Sequence, residues 1–259
     1  MSIVINTNVP ALMAAHHVRK TRGGLETAME RLASGSRINS AADDAAGAGI
    51  SMRLMSQIRG ADMAMRNVQD AHSIMQVADG ALVEVENMLS RIYELAVQKT
   101  STTTYTATDI TNIQSEITQL MTEVGEIATN TKFNTTSVSG RAVIVAQEFD
   151  GGTETYTIPT FLAAASLTSS STVANVTTAI ESIAAARGTL ASFMNRFEYK
   201  INNLSILSAN TAAAHSRVND TDYAAESAAV AKGQVLQQAG AAMLAQANAS
   251  SQYVMTLLQ

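Results

Sequence analysis

Apolar residues recur along this chain at alternating spacings of three and four, the period of helices that lie along other helices. The pattern is plainest near the C-terminal end. There Leu236, Gly240, Met243, Ala247, Ser250, Val254 and Leu257 fall in a 4-3-4-3-4-3 series. Most of these positions are small or apolar, so a partner backbone can approach closely. A helix at the end of a chain with such a stripe needs a cover. The N-terminal segment and neighbouring copies are the candidates, which reads as an assembly protein.

The same period predicts four more helices. Residues 11–33 carry Val18, Leu25, Met29 and Leu32 at helical spacing, interrupted at Gly23-Gly24 and stopped by Ser34-Gly35-Ser36. The longest helix is predicted over about 44–98. Its stripe is Ala71, Ile74, Ala78, Ala81, Val85, Met88, Ile92 and Leu95. At 1.5 Å per residue it would be roughly 80 Å long, which points to a rod. A third helix starts at an Asp109 cap, carries Ile110, Ile113, Ile117, Leu120, Val124 and Ile127, and ends at Asn130-Thr131. Between 142 and 158 AVIVAQEF and TETYTIP flank Asp150-Gly151-Gly152, a β-hairpin signal. The fourth helix has the stripe Val176, Ile180, Ile183, Arg187, Leu190, Met194, Phe197, Ile201, Leu204 and Ser208. A polar segment, Ser216 to Asp222, precedes the last helix.

These elements predict a mainly α fold: a long antiparallel helical rod or coiled coil with a small β-hairpin, plus a terminal helix pair. Residues 1–43 and 217–259 would form an inner terminal-helix domain. Residues 44–216 would form the rod, with its hairpin near 142–158.

Composition narrows the function. Of 259 residues 46% are apolar but only 4% aromatic, with 13 Met and no Trp. Aliphatic cores of this kind suit helices packed side by side. A net charge of -5 and no basic cluster offer nothing to nucleic acid, and zero Cys removes disulfides and thiolate metal sites. No stretch approaches the roughly 18 apolar residues of a membrane span. MSIVINTNVPAL lacks the features of a cleavable secretory leader. The expectation is a cytosolic protein, or one exported by a route that reads no such leader.

Catalytic, cofactor and metal readings are weak. His16 and His17 point about 100° apart on a helix and have no ligating partner at i+4. Asp43 and Asp44 suit a helix start, where acids are favoured by the macrodipole. Gly47 and Gly49 fit close helix approach better than a phosphate loop, and the Met-rich stripe fits core filling. Arg187 interrupts an apolar seam. It either finds an acid partner, as a buried charge must, or snorkels to the surface.

The residues also carry a resemblance. ERLASGSRINSAADDAAGAGIS (30–51), INTN (5–8), RNVQDAHSIMQVADGALVEVENMLSRIYELAVQ (66–98), SEIT and KFN (132–134) resemble the N-terminal signature of bacterial flagellins. NRFEYKINNL (195–204), HSRVNDTDYAAE (215–226), QVLQQAG (234–240) and LAQAN (244–248) resemble the C-terminal one, in order and spacing. The likeness spans nearly the whole chain and implies a minimal subunit without large outer domains, which polymerises into the flagellar filament. It implies self-assembly through Leu236, Gly240, Met243, Ala247, Val254 and Leu257. It further implies export through the flagellar secretion apparatus, a cytoplasmic export chaperone, and filament cap and hook-junction proteins as partners. Host recognition is implied at Arg91, Leu95 and Glu116 for a flagellin-binding Toll-like receptor, and at Leu257 and Leu258 for cytosolic sensors. In the family O-linked glycans sit on outward-facing segments, here the Ser/Thr-rich stretch Ser166 to Thr172, although such loops are often simply flexible and soluble. The competing readings are a hook–filament junction protein and a secreted coiled-coil adhesin.

Overall fold

Capping residues set where the helices begin. The computed structural model describes residues 7–101, 103–161, 167–168 and 170–256, with side chains accounted for up to residue 250. Asn8 opens α1 (Val9–Ser34): its side-chain oxygen accepts the Ala11 N–H at 3.1 Å, and Pro10 occupies the first turn, where a missing N–H costs nothing. Contrary to expectation, α1 passes Gly23 and Gly24 without a break. Both glycines stand in open space, and tertiary packing of the helix outweighs their weak propensity. Gly35, at φ 72°, ends the helix in the left-handed conformation and donates its N–H to the Arg31 carbonyl at 2.9 Å.

The helix α2 (Ala45–Lys99) follows, 55 residues long. Asp44 starts it, with Oδ1 accepting the Gly47 N–H at 2.8 Å. Asp43 turns back instead, and Oδ2 accepts the N–H groups of Asn39 and Ser40. The helix α3 (Ala107–Asn130) is capped by Thr106 rather than Asp109. Asp109 is the third helical residue and closes a capping box, accepting the Thr106 N–H at 3.0 Å.

Two hairpins follow where one is expected. Strands β1 (Lys132–Phe133) and β2 (Thr136–Ser137) pair around Asn134 and Thr135, both at positive φ. That is the backbone of a tight two-residue turn, written with Thr where Gly is usual. Strands β3 (Ala142–Ala146) and β4 (Thr153–Thr157) are the predicted hairpin, in register from Ala142↔Thr157 to Ala146↔Thr153. The chain closes with α4 (Val173–Asn219) and α5 (Tyr223–Thr256). The fold is mainly α, as the periodicity predicts.

The chain divides into two compact units, Met1–Met55 with Ala212–Gln259, and Ser56–Thr211. In the second unit, α2 buries Ala61, Ala64, Val68, Ala71, Met75, Ala78, Leu82, Val85, Leu89, Ile92 and Ala96, an unbroken 3-4 alternation. The stripe read from sequence shares Ala71, Ala78, Val85 and Ile92 with it and adds Ile74 and Leu95, also buried. Ala81 and Met88 are only partly buried. Two seams therefore overlap on one helix, an apolar face wider than a single partner needs. Ile113, Ile117 and Val124 of α3 and Val176, Ile183, Leu190, Phe197 and Leu204 of α4 join that core, as do Val143, Val145, Tyr156, Ile158 and Phe161 of and beside the second hairpin.

Candidate assembly surface

In the first unit α1 and α5 pair antiparallel. The inner face of α1 is Ala11, Ala14, Val18, Thr21, Leu25, Ala28 and Leu32, again at 3-4 spacing. The inner face of α5 is Val230, Gly233, Gly240, Leu244 and Ala247. A methyl group built on Gly233 would lie 3.2 Å from Leu25, and one on Gly240 would lie 2.5 Å from Val18. These two contacts fix the register. It ends in an ion pair between Arg31 and Glu226 at 3.0 Å and a hydrogen bond from Asn8 to the Ala247 carbonyl at 3.0 Å. The loops beside the pair are clipped through backbone, with Arg37 N–H donating to Asn219 and Thr221 N–H to Gly35.

The stripe read on α5 therefore joins two faces. Gly240 and Ala247 point inward to α1 of the same chain. Leu236 and Met243 stand outside the seam, 46% and 62% exposed. Val254 lies on α5 with its side chain outside the described residues, as are Leu257 and Leu258 altogether. On α1, Met29 is likewise outward rather than on the seam, joined by Val9, Leu12 and Met13. Both terminal helices thus carry apolar side chains on their covered and uncovered sides.

The other singled-out residues are placed as follows. Arg91 is half-exposed and bridges Glu94 and Glu116, each at 3.0 Å. Leu95 is not beside them on the surface. It is 2% exposed, because it belongs to the second seam of α2 and packs into the core. Arg187 does find acid partners, reaching from α4 to Asp79 at 3.0 Å and Glu86 at 2.6 Å on α2, with about a third of its side chain still wet. Hydrogen bonds to Asp79 and then Glu86 raise its pKa. His16 and His17 are exposed rings in edge contact, and among the described residues no three His, Cys, Asp or Glu converge on a metal-sized site. The cap and loop acids shape turns, and hydrogen bonds from Ser40 lower the Asp43 pKa. Gly47 makes room for Asp44 and Ile38, whereas Gly49 meets nothing within 4 Å, so close packing inside the chain accounts for only the first. Of the Ser/Thr-rich stretch, Ser166 and Ser169 lie outside the described residues, and Thr168, Ser170 and Thr172 are exposed. No described helix is long and apolar enough to cross a membrane.

Sequence reasoning missed the network under the second hairpin. Glu154 accepts hydrogen bonds from Gln147, from Tyr156 at 3.0 Å and from Arg196 of α4 at 2.6 Å. Arg196 also lies over the Tyr156 ring, which makes T-shaped contacts with Phe193 and Phe197. Arg196 chiefly holds the Glu154 carboxyl below its ordinary value, while burial pushes the Tyr156 phenol up. Opposite, the Phe149 carbonyl rests where a side chain on Gly60 would stand.

The model of the bacterial flagellin N-terminal helical region matches residues 5–138, and that of the C-terminal helical region matches residues 173–258. The chain belongs to the bacterial flagellin family. A flagellin of Halalkalibacterium halodurans is 38% identical, with 99% of this chain and all of that one covered. A flagellin of Bacillus subtilis is 34% identical over 98% and 99% of the two chains. The flagellar filament 33 kDa core protein of Treponema phagedenis is 34% identical over 99% and 100%. As a flagellin, the chain is a structural subunit of the extracellular flagellar filament that serves motility, and the junction-protein and adhesin readings fall away.

Proposed function

We propose that copies of this flagellin join through the outward apolar faces of α1 and α5. The observation that supports this is the exposure of Leu236 and Met243, which stand clear of the seam that α5 makes with its own chain. A helix with apolar residues on both sides is stable only when both are covered. Residues 1–43 and 217–259 then act as the filament core and residues 44–216 as the rod. Gly240 and Ala247 serve indirectly, by holding the pair in register.

The same uncovered face needs masking before assembly. An export chaperone over the helix that carries Leu236 and Met243 fits that need, followed by passage through the flagellar secretion apparatus without a cleaved leader. Hook-junction and cap proteins would meet the first and last copies. The role is structural, with no catalytic step, cofactor or metal assigned. For the host Toll-like receptor, the accessible contact is the Arg91–Glu116 pair. Leu95 would support it from beneath, and any contact at Leu257 and Leu258 with cytosolic sensors is carried by the resemblance alone.

Deleting residues 236–259 tests the central claim. Seeded polymerisation followed by negative-stain microscopy should show no filaments, while circular dichroism keeps the helical signal of the remaining chain. Filaments from the truncated chain would overturn it.

A further inference from the structure

The methionines whose side chains are described are distributed differently in the two units. In the first unit Met13, Met29, Met52 and Met243 are 59%, 46%, 75% and 62% exposed, and Met55 is half-buried. In the second, Met75 is fully buried and Met65, Met88, Met121 and Met194 pack against the core, leaving Met63 exposed at 51%. Met suits a face that must mould itself to a neighbour, because its thioether is flexible and polarizable. The same sulfur is chemically vulnerable wherever an oxidant can reach it.

We infer that Met13, Met29, Met52 and Met243 are oxidation sites that control assembly: peroxide reaches them in the free chain, and a packed second copy shields them in the polymer. The inference rests on the polymerisation proposed above and extends its contact from α1 and α5 to the start of α2, which carries Met52. In the step, the thioether sulfur attacks one peroxide oxygen and the O–O bond breaks. A sulfur–oxygen bond forms, the proton on that oxygen passes to the departing hydroxide, and water leaves. Sulfur loses two electrons, and the peroxide that takes them is the only co-reactant. The product replaces an apolar contact with a strong polar acceptor, which resists burial without a donor.

The test treats the purified free chain with hydrogen peroxide, maps the added oxygen by peptide mass spectrometry, and measures seeded polymerisation. Oxidation should appear at the four outward methionines before Met75, and polymer yield should fall at least about tenfold. A chain with all four changed to Leu should keep its yield after the same treatment. Should that variant not assemble even untreated, peroxide mapping of wild-type filaments decides: the four sites must react more slowly there than in the free chain. Equal reactivity in both states, or full assembly of the oxidised chain, would overturn the inference. If the untreated wild-type chain does not polymerise at all, the filament contact itself is at fault, and this inference falls with it.

Discussion

Gly240 of α5 sits against Val18 of α1 so closely that a single added methyl group would come within 2.5 Å of Val18 Cγ2. Val18 cannot easily yield, because a β-branched side chain in a helix has one strongly preferred rotamer. One turn pair away, Gly233 leaves slightly more room against Leu25, at 3.2 Å. The closeness of the terminal helices is therefore set by two glycines, and the faces they leave outward are set by the same register.

Gly240→Ala should accordingly destabilise the terminal pair, by about 1–3 kcal/mol of overpacking against roughly 1 kcal/mol of gained helix propensity. Gly24→Ala, on α1 in open space, should stabilise it by about 0.5–1 kcal/mol. Thermal unfolding of the two variants followed by circular dichroism checks the contrast. Equal shifts for both would mean that Gly240 is not a packing glycine.

Much of this fold is legible in the 3-4 spacing, since burial of one helical face writes that period into any sequence. What spacing cannot show is which of two overlapping stripes is the inner one. On α5 the line through Leu236 and Met243 and the line through Gly233 and Gly240 have the same period, so the stripe read from sequence takes Leu236 and Met243 from the outward line and Gly240 and Ala247 from the inward face. On α2 the reading found one seam and missed Met75, Leu82, Leu89 and Ala96 of the other, because Ala71, Ala78, Val85 and Ile92 belong to both. The first hairpin was missed for a local reason, as Asn134-Thr135 lacks the glycine that usually signals such a turn. The Glu154 network was missed because its members come from β4, its turn and α4, far apart in sequence.

The Arg187 fork is about a third exposed, so its worth is limited. Arg187→Met should cost about 1 kcal/mol or less at low salt and almost nothing at high salt, since exposed ion pairs are screened. A double-mutant cycle with Asp79→Asn should give a favourable coupling that shrinks as salt is added. A salt-independent coupling would mean that the guanidinium acts by packing.

Glu154 should make the second unit acid-sensitive. Its carboxyl is held below the ordinary value near 4.5, first by the hydrogen bond to Arg196. A depressed folded-state pKa contributes stability above the unfolded value and loses it as pH falls through the folded one. Thermal stability should therefore drop from about pH 5 downward, and Glu154→Gln should flatten that dependence while lowering stability at pH 7. An unchanged acid limb in the variant would assign the effect to other carboxylates.

Receptor experiments must separate recognition from folding, and the burial of Leu95 shows why. Leu95→Ala removes a core side chain and should cost about 2–5 kcal/mol of stability, so a lost response would say nothing about contact. Arg91→Ala breaks the exposed pairs to Glu94 and Glu116 and Glu116→Ala breaks one of them, so each should change stability by less than about 1 kcal/mol. If the host receptor reads this surface, each exposed variant should weaken a receptor-reporter response with no shift in melting temperature. Restoring the pair with opposite charges, Arg91→Glu with Glu116→Arg, should recover the share of stability that Glu116 contributes, less the repulsion that a carboxylate at position 91 meets from Glu94, but not the response. A reporter signal that follows melting temperature across all these variants would show that the assay registers folding, and the surface pair would then have no recognition role.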